Sequence, residues 1–262
     1  MPALHCIIPG AMRIAFVGQC HTYGYAGVPP DAAFPQVCRA AVQARRPGVI
    51  VDVVVEEYQH PAQLERAVTA ALRTRPRVVV IEVVGWLAVK GSGAVDLSRL
   101  PRSVSSAVQR VQHFRKVSQS VIAKFPKPLE NVPDHAFRLA TSILGKAAPR
   151  HLHTSVTEYE TGLQRAIALV KESAGIDCVI QGPGAPNLAM GSRLLPSTMI
   201  ERYREVEAMA RRVARTHDIL YVDRWDTVSS SFYRPNSIRP TSEAHSTWGH
   251  LLADELIAAG LV

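Results

Sequence analysis

The chain has 262 residues, 47% of them hydrophobic and 20% charged, with a formal net charge of +8. That length fits one large α/β domain or two small ones, and the apolar share is ordinary for a globular chain. No run approaches the ~18 consecutive apolar residues of a bilayer span, so a membrane-spanning helix is not expected. Cys6, Cys20, Cys38 and Cys178 are scattered without metal or disulfide spacing.

Residues 1–11 lack the charged and apolar regions of a signal peptide and read as an N-terminal extension. With the unpaired cysteines, this makes a reduced, cytoplasmic location the expectation. The first strand is Arg13–Val17, within the apolar run Met12–Val17, and the helical pattern Phe34–Arg45 follows. A second strand spans Gly48–Val55, a helix Ala62–Arg73, and a third strand Arg77–Val84. After a long interval come a helix over Val156–Ser173, a strand at Asp177–Gln181, a helix over Ser197–Arg215 and a strand at Ile219–Asp223. A final helix runs from about Ser246 to Ala259, with Gly260 as its cap.

These strands are β-branched and almost continuously apolar, as strands buried on both faces are. Alternation of strand and helix over this length predicts a three-layer α/β/α domain. Its sheet is five-stranded and mostly parallel, with flavodoxin-like layering, over residues 12–262.

The interval between the third and fourth strands is too long for one crossover helix. Val104, Ala107, Val108, Val111, Phe114, Val117 and Val121 have amphipathic helical spacing, and Pro126, Pro128 and Pro133 then break the pattern. Residues 87–153 are therefore expected to form a helical insertion or lid at the carboxyl ends of the strands, where open α/β sheets place their ligands. This segment holds eleven Lys/Arg and three Asp/Glu, whereas the rest of the chain holds nineteen of each. The segment thus carries the whole positive excess. It reads as a solvated helical surface or as a landing surface for an anionic partner. Nucleic acid is not expected as that partner, because no recognition motif is present and few aromatics accompany the charges.

Two blocks at the ends of the chain carry the chemistry. Gly18-Gln19-Cys20-His21-Thr22 directly follows the first strand, and Ser242-Glu243-Ala244-His245-Ser246-Thr247-Trp248-Gly249-His250 opens the last helix. Together they resemble the first and last blocks of the SGNH/GDSL hydrolases. That family has Gly-Asp-Ser at the strand-to-helix turn, with the serine as nucleophile, and Asp-x-x-His near the end, with the histidine as general base. The resemblance implies Cys20 as nucleophile, His245 as base, and Ser242 in the slot of the aspartate. His250 falls at a packing position of the last helix.

A thiol suits the altered set. A helix N-terminus or a histidine stabilises a thiolate near neutral pH, so a Cys20–His245 pair depends less on a third member than a serine does. Ser242 can hold an imidazole by a hydrogen bond but cannot stabilise an imidazolium as a carboxylate does. Asp223 or Asp226 could orient His245 instead, although capping is the plainer role for both.

The family's oxyanion donors are less well matched. Its glycine after the second strand is replaced by Glu56-Glu57-Tyr58-Gln59-His60, and Trp86 falls near the slot of its asparagine after the third. Each lost donor costs ~10²–10³ in rate. The Cys20 N–H is retained, and Gly18, Gln19, His21, Gln59, His60, Trp86 and Asn187 are the candidates for oxyanion or substrate binding. His151 and His153 alone make a weak metal motif; neither a metal nor another cofactor is expected.

Three readings follow. One is a cysteine-dependent acyl hydrolase or acyltransferase for ester or thioester substrates, with a small-molecule or carrier-bound acyl group and an acidic carrier protein as candidate partner. Another is a catalytically altered scaffold that binds a ligand or partner. The third is different chemistry in the same cleft, built from Cys20, His21, His60 and Trp86.

Overall fold

A computed structural model of the chain describes residues 11–24, 28–85, 155–187, 197–227, 230–233 and 240–262. The insertion expected over 87–153, Trp86, His151 and His153 lie outside the described residues, as does the N-terminal extension up to residue 10.

Five strands form one parallel sheet: β1 (Met12–Gly18), β2 (Val51–Glu57), β3 (Val78–Glu82), β4 (Asp177–Gln181) and β5 (Leu220–Val222). Their order is β2-β1-β3-β4-β5, and every pairing is parallel. The chain therefore leaves β1 and β3 in opposite lateral directions, which makes the β1/β3 edge the switch point where such sheets bind ligands.

The continuous apolar runs are explained by a core on each side of the sheet. Ile14, Phe16, Val78, Val80, Val179 and Val222 face one layer, made by α1 (Phe34–Arg45) and α5 (Ser242–Ala258). Ala15, Val17, Val79, Ile81, Cys178 and Ile180 face the other, made by α2 (Leu64–Leu72), α3 (Val156–Glu172) and α4 (Ser197–His217). Alternate residues of each strand point to opposite faces, so no position in the central strands is left for solvent.

Local signals set the helix ends. Ser155 and Glu158 make a reciprocal capping box at the start of α3. The helix α5 starts four residues before the expected Ser246, because Thr241 caps it by accepting from the Ala244 N–H. It ends as expected at Gly260 (φ 69°), where Gly260 and Leu261 donate to the carbonyls of Ile257 and Leu256. Gly249 lets α5 lie close on α1, since a Cβ there would stand 2.6 Å from Val37 and 2.8 Å from the Phe34 carbonyl. His250, expected to pack, is exposed on the outer side of α5.

Candidate active site

At the carboxyl ends of β1, β3 and β5 lies a buried charged cluster. Glu82, the last residue of β3, is 1% exposed, and Arg224, just after β5, is 3% exposed. Arg224 Nη1 donates to Glu82 Oε1 at 3.0 Å and its Nε donates to the Gly182 carbonyl at 2.7 Å. The guanidinium lies 4.8 Å from the Trp248 ring centre and 5.8 Å from that of Phe34, so aromatic faces support the cation as well. The other Glu82 oxygen accepts the Gln19 backbone N–H at 3.3 Å.

Gly18 makes room for this carboxylate. Its backbone needs no unusual conformation, but a Cβ would stand 2.7 Å from Glu82 Oε2 and 2.4 Å from Thr22 Cγ2. A relay of hydrogen bonds holds the Glu82 backbone from the opposite layer. The Val84 N–H donates to Tyr159 Oη at 2.8 Å, Tyr159 to Tyr58 Oη at 2.7 Å, and Tyr58 to the Glu82 carbonyl at 2.6 Å. Burial raises the pKa of both phenols, so the relay stays protonated across the physiological range.

Burial alone would raise the Glu82 pKa, but Arg224 and then His21 outweigh it and hold the group at about 2. Glu82 is therefore an anion. His21, in the 3-10 turn Cys20–Tyr23, places Nδ1 3.8 Å from Glu82 Oε1, with its side chain 18% exposed. His21, Glu82, Arg224, Gly184, Tyr233 and Trp248 are among the residues that line a cleft at this edge.

His245 is placed differently. It is fully buried beside Phe34, Trp248 and His21, with ring centres 6.1, 5.9 and 6.4 Å away. Its Nδ1 accepts the Phe34 backbone N–H at 3.1 Å, and its Nε2 has no hydrogen-bond partner among the described residues. A ring nitrogen that accepts from an amide carries no proton, so the neutral imidazole is the Nε2–H tautomer. Burial, with help from His21, lowers the His245 pKa to about 3. The role of base requires the reverse arrangement, with Nδ1–H donating to an orienting group and Nε2 accepting. In this geometry His245 is a neutral donor.

Ser242 does not supply the orienting contact: it is exposed at the first residue of α5, and Phe34 occupies Nδ1. Asp223 does not either, because it pairs with Arg211 and accepts the Trp225 N–H, and Asp226 is exposed. Cys20 opens the 3-10 turn after β1, as the resemblance implies; its side chain lies outside the described part.

The other sequence candidates separate. Gln19 is buried and turned inward, with Nε2 donating to the Tyr58 carbonyl at 3.2 Å and its N–H committed to Glu82. Gln59 is exposed, and its N–H donates to Gln63 Oε1 at 2.8 Å. His60 caps a short turn by accepting from Ala62 N–H. Neither Gln59 nor His60 lines the cleft. Asn187 is buried after β4 and has a partner. Among the described residues no group of three His, Cys, Asp or Glu is placed to hold a metal ion.

Glu82 and Arg224 are the site residues that sequence reasoning missed. A signal existed for the first: Glu82 is a lone charge inside the apolar run Val78–Val84. Nothing around Arg224 marks it, because its partners come from β3, the loop after β4 and α5.

No family profile matches the chain, and no curated protein is similar to it in sequence. Solved structures do match. A lipolytic protein of the G-D-S-L family from Desulfitobacterium hafniense is 14% identical, covering 94% of this chain and 99% of its own, with a TM-score of 0.55. A lipase/acylhydrolase from Enterococcus faecalis is 14% identical over 95% of this chain and 96% of its own, with a TM-score of 0.57. A catalytic mutant of the acetylxylan esterase Axe2 from Geobacillus stearothermophilus is 12% identical over 95% of each chain, with a TM-score of 0.58. The chain has the fold of the GDSL/SGNH lipolytic hydrolases. Identities this low speak for the fold alone.

Proposed function

We propose that this protein is an acyl hydrolase or acyltransferase for ester or thioester substrates, with Cys20 as nucleophile. The observation that carries the reading is the position of Cys20. It opens the turn after β1 at the switch point of a GDSL-type fold, beside a cleft lined by His21, Glu82 and Arg224.

The reaction has two steps. The Cys20 thiol loses its proton to a base, and its sulfur bonds to the acyl carbon. The substrate's C–O or C–S bond breaks, and the leaving group takes a proton. Water or an acceptor hydroxyl then gives its proton to the base and attacks the thioester carbon, releasing the acyl product and restoring the thiol. The backbone N–H of Cys20 is the candidate donor to the oxyanion in both steps.

The substrate class follows from charge. Arg224 is neutralised by Glu82, so the cleft itself gives no strong preference for an anion. The excess of eleven Lys/Arg over three Asp/Glu in residues 87–153 favours an acidic substrate or an acyl group carried on an acidic protein. Transfer from such a carrier should weaken between 50 and 500 mM salt; indifference to salt removes the carrier from the account.

A second reading has its own observation. Phe34 engages His245 Nδ1 and Ser242 is exposed, so the family's base and orienting acid are not assembled. This suits a binding module on an old hydrolase scaffold. Alkylation separates the two readings: an iodoacetamide rate at Cys20 well above that of free cysteine at pH 7 supports catalysis, and an inert thiol supports binding.

A further inference from the structure

We infer that the proton-accepting imidazole of this cleft is His21, oriented by Glu82, and that His245 is held as a neutral imidazole with its proton on Nε2. The inference rests on the acyl-transfer reading above and assigns its general base. Three observations carry it.

First, only His21 has a carboxylate on its Nδ1 side. Glu82 Oε1 stands 3.8 Å from that nitrogen. An anion there favours the proton on Nδ1 and leaves Nε2 with a free lone pair, the tautomer a general base needs. Glu82 cannot swing away, because Arg224 and the Gln19 N–H hold its two oxygens.

Second, His245 is fixed in the opposite state by the Phe34 N–H. To accept a proton at Nε2 it would first have to shed the one it carries there, or break a buried hydrogen bond. Third, the two rings differ in access. His21 lines the cleft and is partly exposed, whereas His245 is fully buried and does not line it.

Among the described residues, the charged and titratable groups beside His21 are Glu82 from β3, Arg224 after β5 and His245 from α5, and the cleft is also lined by Tyr203 and Tyr233. Burial raises the pKa of both phenols, so they stay neutral. Glu82 is the group that sets the His21 tautomer.

In the reaction, His21 Nε2 takes the proton of the attacking nucleophile as that atom bonds to the acyl carbon. The proton then passes to the leaving oxygen or sulfur as its bond to that carbon breaks. His21 is the catalytic residue and Glu82 its positioning residue.

Two measurements on the whole protein test this. Long-range proton–nitrogen NMR should show His21 protonated at Nδ1 and His245 at Nε2 at pH 7. A His21 resonance protonated at Nε2 overturns the inference. The second measurement follows intact mass after mixing with p-nitrophenyl acetate or acetyl-coenzyme A.

Wild-type protein should gain and lose one acetyl group at Cys20. In His21→Gln, acylation and deacylation should both slow by ~10²–10⁴-fold, the usual range for a lost general base, and the acidic limb of the pH–rate profile should vanish. His245→Gln should keep that limb at a reduced rate. Equal rates in wild type and His21→Gln, or loss of the limb in His245→Gln alone, overturn the inference and leave the acyl-transfer reading intact. Absence of any Cys20 adduct in wild type overturns the acyl-transfer reading itself and, with it, the catalytic role of His21, even where the tautomers are as stated.

Discussion

The backbone N–H of Phe34, at the first residue of α1, donates to Nδ1 of His245 on α5 at 3.1 Å. Residues 211 positions apart are thereby joined at the N-terminal ends of two packed helices. The bond satisfies an amide that α1 itself leaves open, since the first N–H groups of a helix have no partner within it. It also fixes which nitrogen of the imidazole carries the proton, and so bears on chemistry as well as packing.

Stability should depend on pH through this contact. The folded pKa of His245 is about 3, below the ordinary 6.5 of an unfolded chain. Between those values the unfolded state binds the extra proton, so acidification favours unfolding. The contribution is fully present above about pH 6.5 and is lost as pH falls toward 3, at about 1.4 kcal/mol per pH unit. Glu82 acts lower, because its folded pKa of about 2 lies below the ordinary carboxylate value, and its contribution is lost only below about pH 4. Urea unfolding at pH 6.5, 5.5 and 4.5 should show a steeper loss in wild type than in His245→Gln. Parallel slopes contradict the assignment.

Removing one member of the buried ion pair should be costly. Arg224→Met leaves the Glu82 carboxylate in the core without its cation, and should destabilise the fold by about 3–5 kcal/mol. Adding Glu82→Gln should recover part of that loss, because the uncompensated charge is then gone. A double-mutant cycle by chemical denaturation measures the coupling; simple additivity contradicts it.

Gly18→Ala tests whether the glycine is there for the carboxylate. Its new methyl would press on Glu82 Oε2 and Thr22 Cγ2, and overpacking of this kind costs about 1–3 kcal/mol. The signature beyond stability is a change in the His21 NMR signal, since Glu82 has to move. A variant with wild-type stability and an unchanged His21 signal contradicts the packing described.

Tyr159→Phe breaks the relay that ends on the Glu82 carbonyl. It leaves the Val84 N–H and one side of the Tyr58 hydroxyl unpartnered in the core, at a cost of about 1–3 kcal/mol. Thermal unfolding measures it, and Leu163→Ala on the same face of α3 gives the scale of an ordinary cavity.

The fold was legible in the sequence because it rests on local pattern. All five strands are buried on one or both faces, and their apolar runs stand out even where the ends shift by one to three residues, as for Val51–Glu57 against the expected Gly48–Val55. The start of α5 was missed because Thr241, a capable cap, precedes a stretch of Ser, Glu and His that carries no apolar stripe. Of the site, the turn holding Gly18 and Cys20 and the place of His245 were legible from their blocks. The state of His245 was not, since it depends on an amide in another helix. Nor was the Glu82–Arg224 pair, whose members come from the end of β3 and the loop after β5 and meet only in three dimensions.

The central claim is that Cys20 carries an acyl group, and intact mass of the purified protein tests it most directly. Wild-type protein and Cys20→Ala are each incubated with a panel of activated esters and acyl thioesters, and adducts are mapped by peptide mass. The account predicts a single acyl group on Cys20 of the wild type that decays with time, and none on the variant. No adduct on Cys20, together with a native thiol that iodoacetamide does not alkylate, contradicts it and leaves the binding module as the reading of this fold.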